Sequence, residues 1–159
     1  MVITITPAPV VDAGIDQIVC SSSPNTLLAG SVSGGSTTGQ WSGGAGTYNP
    51  NSTTLNAIYT PSAGEITAGS VTLTLTSTAN GTCIAVSDAM LITITPAPVV
   101  NAGVDQTVCA NNEDVTLNGS VTGGGSTGQW SGGAGAYIPI TQRLLQFIRH
   151  QQVKLQQVL

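Results

Sequence analysis

The chain has almost no basic side chains. Only three Lys and Arg residues occur in 159, and all of them follow position 142, as Arg143, Arg149 and Lys154. The seven acidic residues all precede that point. Because phosphate groups are bound mainly by cationic side chains, the first 142 residues exclude a nucleic-acid partner and disfavour an anionic membrane surface.

The chain also lacks the side chains that most enzymes use. Its one histidine, His150, lies in the C-terminal stretch, the acids are scattered, and no CxxC pair occurs. The glycine-rich segments have no lysine that could complete a phosphate-binding loop. The sequence therefore predicts a protein that is not an enzyme and needs no cofactor.

Long apolar runs and helix-forming segments are missing as well. No stretch approaches the roughly 20 apolar residues of a membrane span, so no membrane insertion is expected. Aromatic residues make up 4% of the chain, and its body consists of Thr, Ser, Gly, Val and Ala. This mixture favours short strands and turns, and it is typical of exported all-β proteins.

What the sequence does contain is a repeat. The segment ITITPAPVV occurs at 3–11 and again at 92–100, and Cys20/Cys109 and Trp41/Trp130 are also 89 positions apart. Alternating strand residues run into Pro-Ala-Pro, which ends strand pairing. A period of 89 residues fits a complete β-sandwich of about 100 residues better than a solenoid unit.

The repeat predicts the domain boundaries. Residues 1–6 are expected to be the last strand of a preceding module, because Met1 aligns with Met90 inside the repeat. Residues 7–97 form a complete module, and residues 98–137 form the first half of a second one. The predicted fold is all-β, with tandem immunoglobulin-like sandwiches and no helix inside the module.

Alternation of apolar and polar residues predicts the strands and their inward faces. Candidate strands are 10–19, 27–32, 38–42, 46–48, 55–60 and two long strands near 71–76 and 90–95, the last two joined by a turn at Asn80-Gly81. Threonines point outward on the long strands, and Met90 and Gly30 point inward. The predicted core is Leu28, Val32, Trp41, Val71, Leu73, Leu75, Ile92 and Ile94.

Four segments carry a resemblance to known repeats: VDAGIDQIVC, GQWSGGAGTY, YTPSAGEITAGSVTLTLTST and NGTC. In them the chain resembles the immunoglobulin-like and PKD-like tandem repeats of large secreted surface adhesins of gliding bacteria. The resemblance covers residues 2–137. It implies export to the cell surface and a non-catalytic role in attachment or in spacing other domains. The alternative is a carbohydrate-binding β-sandwich module of a secreted protein.

Residues 138–159 differ in composition from the rest of the chain and are interpreted as a frameshifted tail. Loss of one base converts codons for AIYTPSAGEITAG (57–69) into codons for QFIRHQQVKLQQV (146–158), the stretch that the offset aligns with them. The Gln and Leu content of this tail predicts a helix from Gln142 to Val158. The second module, left without its later strands, is expected to expose Val115, Leu117, Val121 and Trp130.

Cys20 and Cys83 are the disulfide candidates of the complete module, since both positions recur in the resembling repeats. The topology of a sandwich leaves a second possibility open. The turn after the first strand and the turn before the last strand lie at opposite ends, so Cys20 could instead meet the neighbouring module. The neighbouring repeats of the same chain are thus the expected partners.

Three further surface functions are weighed against structural explanations. Trp41 and Tyr48 are candidates for stacking on surface glycans, although flanking Gln40 and Ser42 favour a core position for Trp41. The outward threonines could form an ice-binding array, but half-exposed strands prefer Thr in any case. Asp12 and Asp16 are calcium candidates beside the Pro-Ala-Pro segment, with turn capping as the commoner role of Asp.

Overall fold

The computed structural model describes residues 1–112, 114–139 and 145–149. The chain divides into two compact units, Met1–Ala97 (unit 1) and Pro98–Leu159 (unit 2). The boundary falls inside the second copy of the repeated segment ITITPAPVV. Among the described residues, no helix is long and apolar enough to cross a membrane.

Unit 1 contains nine strands and one short helix. In chain order they are β1 Pro9–Asp12, β2 Gln17–Cys20, β3 Thr26–Leu27, β4 Ser31–Gly34, β5 Thr38–Ser42, β6 Thr47–Asn49, β7 Ile58–Thr60, α1 Ala63–Ala68, β8 Ser70–Thr78 and β9 Ser87–Thr95.

These strands form two layers. One sheet has the order β2-β9-β8-β5, in which β2 runs parallel to β9 and the other pairs are antiparallel. The other layer contains the pair β1-β4 and the sheet β3-β7-β6. The segment that links β3 to β4 continues the pairing of β3 with the chain before β7: the Leu28 N–H donates to Ala57 O at 2.9 Å and the Gly30 N–H donates to Leu55 O at 3.2 Å. Strands β3 and β4 therefore act as one interrupted strand.

The resulting strand order is that of an immunoglobulin-like sandwich. If β3 and β4 are counted as one strand and β2 as an addition, seven main strands remain. The layer β1, β3/β4, β7, β6 holds the first, second, fifth and fourth of them, and the layer β5, β8, β9 holds the third, sixth and seventh, with β2 added at its edge. The predicted fold class is therefore confirmed. A β-sandwich buries one face of each sheet against the other. This explains why buried and more exposed side chains alternate along β8 and along the second half of β9.

The core of unit 1 follows the predicted faces. All eight predicted core residues are buried, and Met90 is buried with them. The alternate positions on β8 that carry Thr72, Thr74 and Thr76 are exposed or half-buried, as expected. Sequence reasoning missed three members of the apolar core, Ala13, Ala57 and Tyr59, which lie on short or irregular segments where alternation is too brief to read.

Two predicted strands are interrupted in the structure. The segment 10–19 divides into β1 and β2 because the chain turns between them, where Gly14 has φ +85°. The segment 27–32 divides between β3 and β4. The connection from β8 to β9 is also wider than a two-residue hairpin: Ala79 and Gly81 have positive φ, and Ser77 N–H donates to Val86 O at 2.9 Å.

The absence of a helix is the part of the module prediction that is wrong. Helix α1 begins after Ser62, whose hydroxyl accepts from the Glu65 N–H while the Glu65 carboxylate accepts from the Ser62 N–H. It ends at Gly69, which has φ +81°. This reciprocal capping box and left-handed C-cap stabilise a single short helix between β7 and β8.

Unit 2 repeats one layer of unit 1. Its strands are β10 Val99–Asn101, β11 Val115–Asn118, β12 Ser120–Thr122, β13 Ala136–Pro139 and β14 Leu145–Arg149. They form the pair β10-β12 and the sheet β11-β14-β13, which correspond to β1-β4 and β3-β7-β6. The described residues of unit 2 contain no counterpart of the four-stranded sheet. Accordingly Val115, Leu117, Val121 and Trp130 are half-buried there.

The predicted helix in the tail is wrong over Leu145–Arg149, and its other residues lie outside those described. Strand β14 pairs Val115 with Ile148 and Ala136 with Arg149. The equivalent residues of unit 1, 89 positions earlier, are paired in the same way: Thr26 with Tyr59, and Thr47 with Thr60. The tail thus occupies the position of β7, because the unpaired edges of β11 and β13 outweigh local helix propensity.

Candidate functional site

The parallel pair of β2 and β9 is the candidate functional site of unit 1. Strand β2 runs parallel to β9 with Gln17 opposite Ile92 and Cys20 opposite Thr95. Ser21 N–H extends this ladder by donating to Thr95 O at 2.8 Å. Because one strand comes early in the unit and the other ends it, a pull on the two chain ends loads all of these hydrogen bonds together in shear.

Side chains hold both ends of this pair. At its beginning, the Leu91 N–H donates to the Asp16 carboxylate at 2.8 Å. At its end, the Ala97 N–H donates to the Ser21 hydroxyl at 2.8 Å, and the Thr95 hydroxyl donates to Val19 O at 3.1 Å. Sequence reasoning missed Ser21, since no periodic pattern distinguishes a hydroxyl that caps a strand from any other surface serine.

The chain enters and leaves unit 1 at opposite ends. The carbonyls of Thr6 and Pro7 lie beside the Cys83 thiol, in the loop that precedes β9. The last residue of β9, Thr95, lies beside Cys20. Nine strand residues at about 3.3 Å each separate the two ends by roughly 30 Å.

The calcium candidates Asp12 and Asp16 are engaged by backbone N–H groups. Asp12 accepts from Gly14 at 2.7 Å, which fixes the turn between β1 and β2. A third carboxylate, Asp88, accepts from the Ala13 N–H at 2.8 Å. The described residues contain no group of three or more His, Cys, Asp or Glu side chains that could hold a metal ion.

The Asp12 turn leads to a testable expectation. Unit 2 has Asn101 at the equivalent position, and its side-chain oxygen accepts from the Gly103 N–H at 2.7 Å, as Asp12 does from Gly14. Replacing Asp12 with Asn should therefore change the free energy of unfolding by less than about 0.5 kcal/mol. Urea denaturation with and without calcium measures this. A calcium-dependent loss of more than about 1 kcal/mol would assign the carboxylate to a metal site.

The glycan candidates lie in or against the core. Trp41 is 1% exposed, and its Nε1–H donates to Leu55 O at 3.1 Å, so the indole face is not available to a sugar ring. Tyr48 is half-buried, and its hydroxyl donates to Gly43 O at 2.9 Å. The Tyr48 ring packs against the buried ring of Tyr59, with 4.9 Å between the two ring centroids.

Glu65 is the centre of a polar cluster that the sequence did not reveal. Its carboxylate accepts from the Tyr59 hydroxyl (2.8 Å) and from the backbone N–H groups of Ala45 (2.7 Å) and Ser62 (2.7 Å). Burial raises the pKa of Glu65, but these hydrogen bonds outweigh it and the pKa is lowered overall. Burial, together with the charge of Glu65, raises the pKa of Tyr48 to about 12. The cluster therefore fixes α1 to the β5–β6 loop.

The structure does not bring Cys20 and Cys83 together. All three cysteines are free thiols, and the first two lie at opposite ends of β9. Disulfide-linked Cα atoms lie within about 7 Å of each other, so the two thiols are not placed for an internal bridge in this structure. Hydrogen bonds from Ser22 lower the pKa of the Cys20 thiol.

Comparisons with known proteins give structural likenesses only. No family model matches the chain, and no curated protein matches it. A chimeric titin Z1Z2 carrying an exogenous peptide from decorin is 15% identical with a TM-score of 0.41, covering 91% of this chain and 82% of that one. A protocadherin gammaB7 EC3-6 structure is 10% identical with a TM-score of 0.39, and the match covers 91% of this chain and 40% of that one. The fold assignment rests on the strand order described above.

Proposed function

We propose that unit 1 is a load-bearing, non-catalytic repeat of a secreted cell-surface protein, either an adhesin or a stalk spacer. The observation that carries this proposal is the parallel pairing of β2, the second strand of unit 1, with β9, its last strand. Hydrogen bonds loaded in shear resist together, whereas a hairpin pulled from one end opens one bond at a time. The pairing therefore suits a unit that transmits tension.

The placement of the two chain ends supports the same role. Entry beside Cys83 and exit beside Cys20 place the two chain ends of unit 1 at opposite ends of β9, so tension applied through the chain passes along the whole unit. The proposed partners are thus the neighbouring repeats of the same chain, with glycans or other cells bound elsewhere in the protein. The scarcity of basic side chains agrees with a position outside the cell, away from nucleic acids.

A carbohydrate-binding module is the second candidate. Trp130 supports it, because this indole is half-buried and lines an apolar groove with Val100, Gly119 and Val121. Its counterpart Trp41 is buried, however, so the repeat does not present a tryptophan in every copy. Binding of soluble glycans that a Trp130→Ala substitution abolishes would favour this second function.

Surface labelling of the source cells tests the proposed location. An antibody raised against the purified protein should label intact cells as strongly as permeabilised cells, since an exported repeat is accessible from outside. Brief treatment of intact cells with a protease should remove the signal. Labelling that requires permeabilisation would contradict the proposal, and an antibody to a cytoplasmic protein is the control for cell integrity.

A further inference from the structure

Two cysteines flank the same short segment of the repeat. Thr6-Pro7 and Thr95-Pro96 are equivalent, because they are 89 positions apart in the repeated ITITPAPVV segments. The Cys83 thiol lies 3.9 Å from Thr6 O and 3.6 Å from Pro7 O. At the other end of unit 1, Cys20 is the ladder partner of Thr95. One segment is thus contacted by Cys83 in its first copy and by Cys20 in its second.

The contacts of Cys83 with Thr6-Pro7 and of Cys20 with Thr95 describe the two sides of one junction between consecutive copies. The Thr-Pro pair that leaves a copy is also the pair that enters the next, so it contacts Cys20 of the first copy and Cys83 of the second. Paired strands lie about 4.8 Å apart, and disulfide-linked Cα atoms lie about 4.4–6.8 Å apart. Cys20 of one copy and Cys83 of the next therefore flank the same Thr-Pro pair at such a junction, although the two cysteines are far apart within one copy.

We propose that a disulfide joins consecutive copies of this repeat, from Cys20 of one copy to Cys83 of the copy that follows it. This inference rests on the proposed function, because a stable disulfide requires export to an oxidising compartment. The partner of Cys83 is then the Cys20 position of a preceding repeat. The disulfide links the two copies covalently at the point where tension passes from one repeat to the next.

The bridge forms by exchange with a disulfide oxidant such as oxidised glutathione. The Cys20 thiolate attacks one oxidant sulfur, forming a mixed disulfide and releasing one thiolate. The Cys83 thiolate then attacks the Cys20 sulfur and releases the second. One S–S bond is broken in the oxidant and one is formed in the protein. The two protons lost by the cysteines are taken up by the two released thiolates.

The chain as it stands provides the first test. Its Cys20 and Cys83 belong to the same copy, and its sequence holds no Cys83 equivalent in the second copy, so oxidised glutathione should give no peptide linking the two. The chain is digested with pepsin and mapped by mass spectrometry, since trypsin has no site before Arg143. A Cys20–Cys83 peptide within one chain would overturn the proposal, because the two ends of β9 would then have to meet.

An extended chain provides the second test. It contains the whole protein with an added copy of residues 1–89 before Met1, so that Met1 occupies the position of Met90. We expect one disulfide, between the added copy's Cys20 and the original Cys83, with the remaining cysteines free. A Cys83→Ser variant should lose this cross-repeat peptide, whereas a Cys109→Ser variant should keep it.

Each outcome decides the proposal. The cross-repeat peptide in the extended chain, lost only with Cys83→Ser, supports it. Free thiols at the added copy's Cys20 and the original Cys83 in the folded, oxidised extended chain contradict it, as does a bridge within one copy. Loss of the bridge leaves the proposed function standing, since surface labelling and resistance to force do not depend on a disulfide. The failures of the two proposals are therefore distinguishable.

Discussion

Replacing Trp41 with alanine is expected to lower the free energy of unfolding of unit 1 by about 3–5 kcal/mol. The indole is 1% exposed and packs so closely on Gly30 that a Cβ there would lie 2.7 Å from its ring. Truncation removes this packing, leaves a cavity between the sheets and breaks the hydrogen bond to Leu55 O. Few single residues in the unit have as much buried surface to lose.

The repeat supplies a matched control for this substitution. Trp130 occupies the equivalent position in unit 2 but is half-buried, so Trp130→Ala should cost clearly less, about 1–2 kcal/mol. Hydrogen exchange of peptic peptides, followed over increasing urea in the full chain, reports on unit 1 through β8 and β9 and on unit 2 through β11 and β12. A loss below about 1 kcal/mol for Trp41→Ala would contradict a core position for this side chain.

Replacing Glu65 with alanine is expected to lower the free energy of unfolding by about 2–3 kcal/mol. The substitution removes the acceptor for the Tyr59 hydroxyl and for the N–H groups of Ala45 and Ser62, and it removes half of the capping box of α1. The same peptides, with those covering α1 and β7, measure the loss. Asp16→Asn is the control, because an amide oxygen can still accept from the Leu91 N–H.

The contribution of Glu65 should also depend on pH. Its folded pKa is lowered, so the stabilisation is fully present above the unfolded value of about 4.3 and disappears as the pH falls through the lower folded value. The difference in stability between the wild type and Glu65→Ala should therefore shrink in acid. A difference that stays constant from pH 7 to pH 2 would show that the carboxylate charge does not contribute.

The core was predictable because period-two alternation fixes which face of a strand is buried. Over residues 71–75 of β8 and 90–94 of β9 every second residue is apolar, and all predicted core positions there are buried. Helix α1 was missed although Ser62 and Glu65 have the spacing of a capping box, because the surrounding composition is typical of strands. In the tail, local helix propensity misled the prediction, since the vacant position between β11 and β13 favours an extended strand.

The candidate site was less predictable than the core. Alternation shows which face of a strand is buried but not which strand is its neighbour, so the parallel pairing of β2 with β9 could not be read from the sequence. The roles of Ser21 and Asp88 depend on contacts between residues that are more than 70 positions apart. By contrast, the separation of Cys20 from Cys83 was foreseen as one alternative, because it follows from the topology of a sandwich.

Pulling the full chain by its two ends tests the load-bearing claim most directly. Backbone N–H groups along a strand point alternately to its two sides. Because the Ser21 N–H donates to β9, the Val19 N–H also points towards β9, while the Ile18 N–H points away. Val19→Pro therefore removes one of the loaded hydrogen bonds, and Ile18→Pro is its matched control on the same strand. Single-molecule force spectroscopy measures the force at which unit 1 unfolds.

If β2 and β9 carry the load, unit 1 ruptures in one event. The stretch from Gln17 to Thr95, which the pairing of β2 with β9 closes, should lengthen by about 270 Å at that event, from about 3.6 Å for each extended residue less a folded separation of roughly 10 Å. Val19→Pro should lower the rupture force clearly more than Ile18→Pro does. Gradual extension of unit 1 without a rupture event, or equal forces for the two proline variants, would contradict a load-bearing role for the pair of β2 and β9.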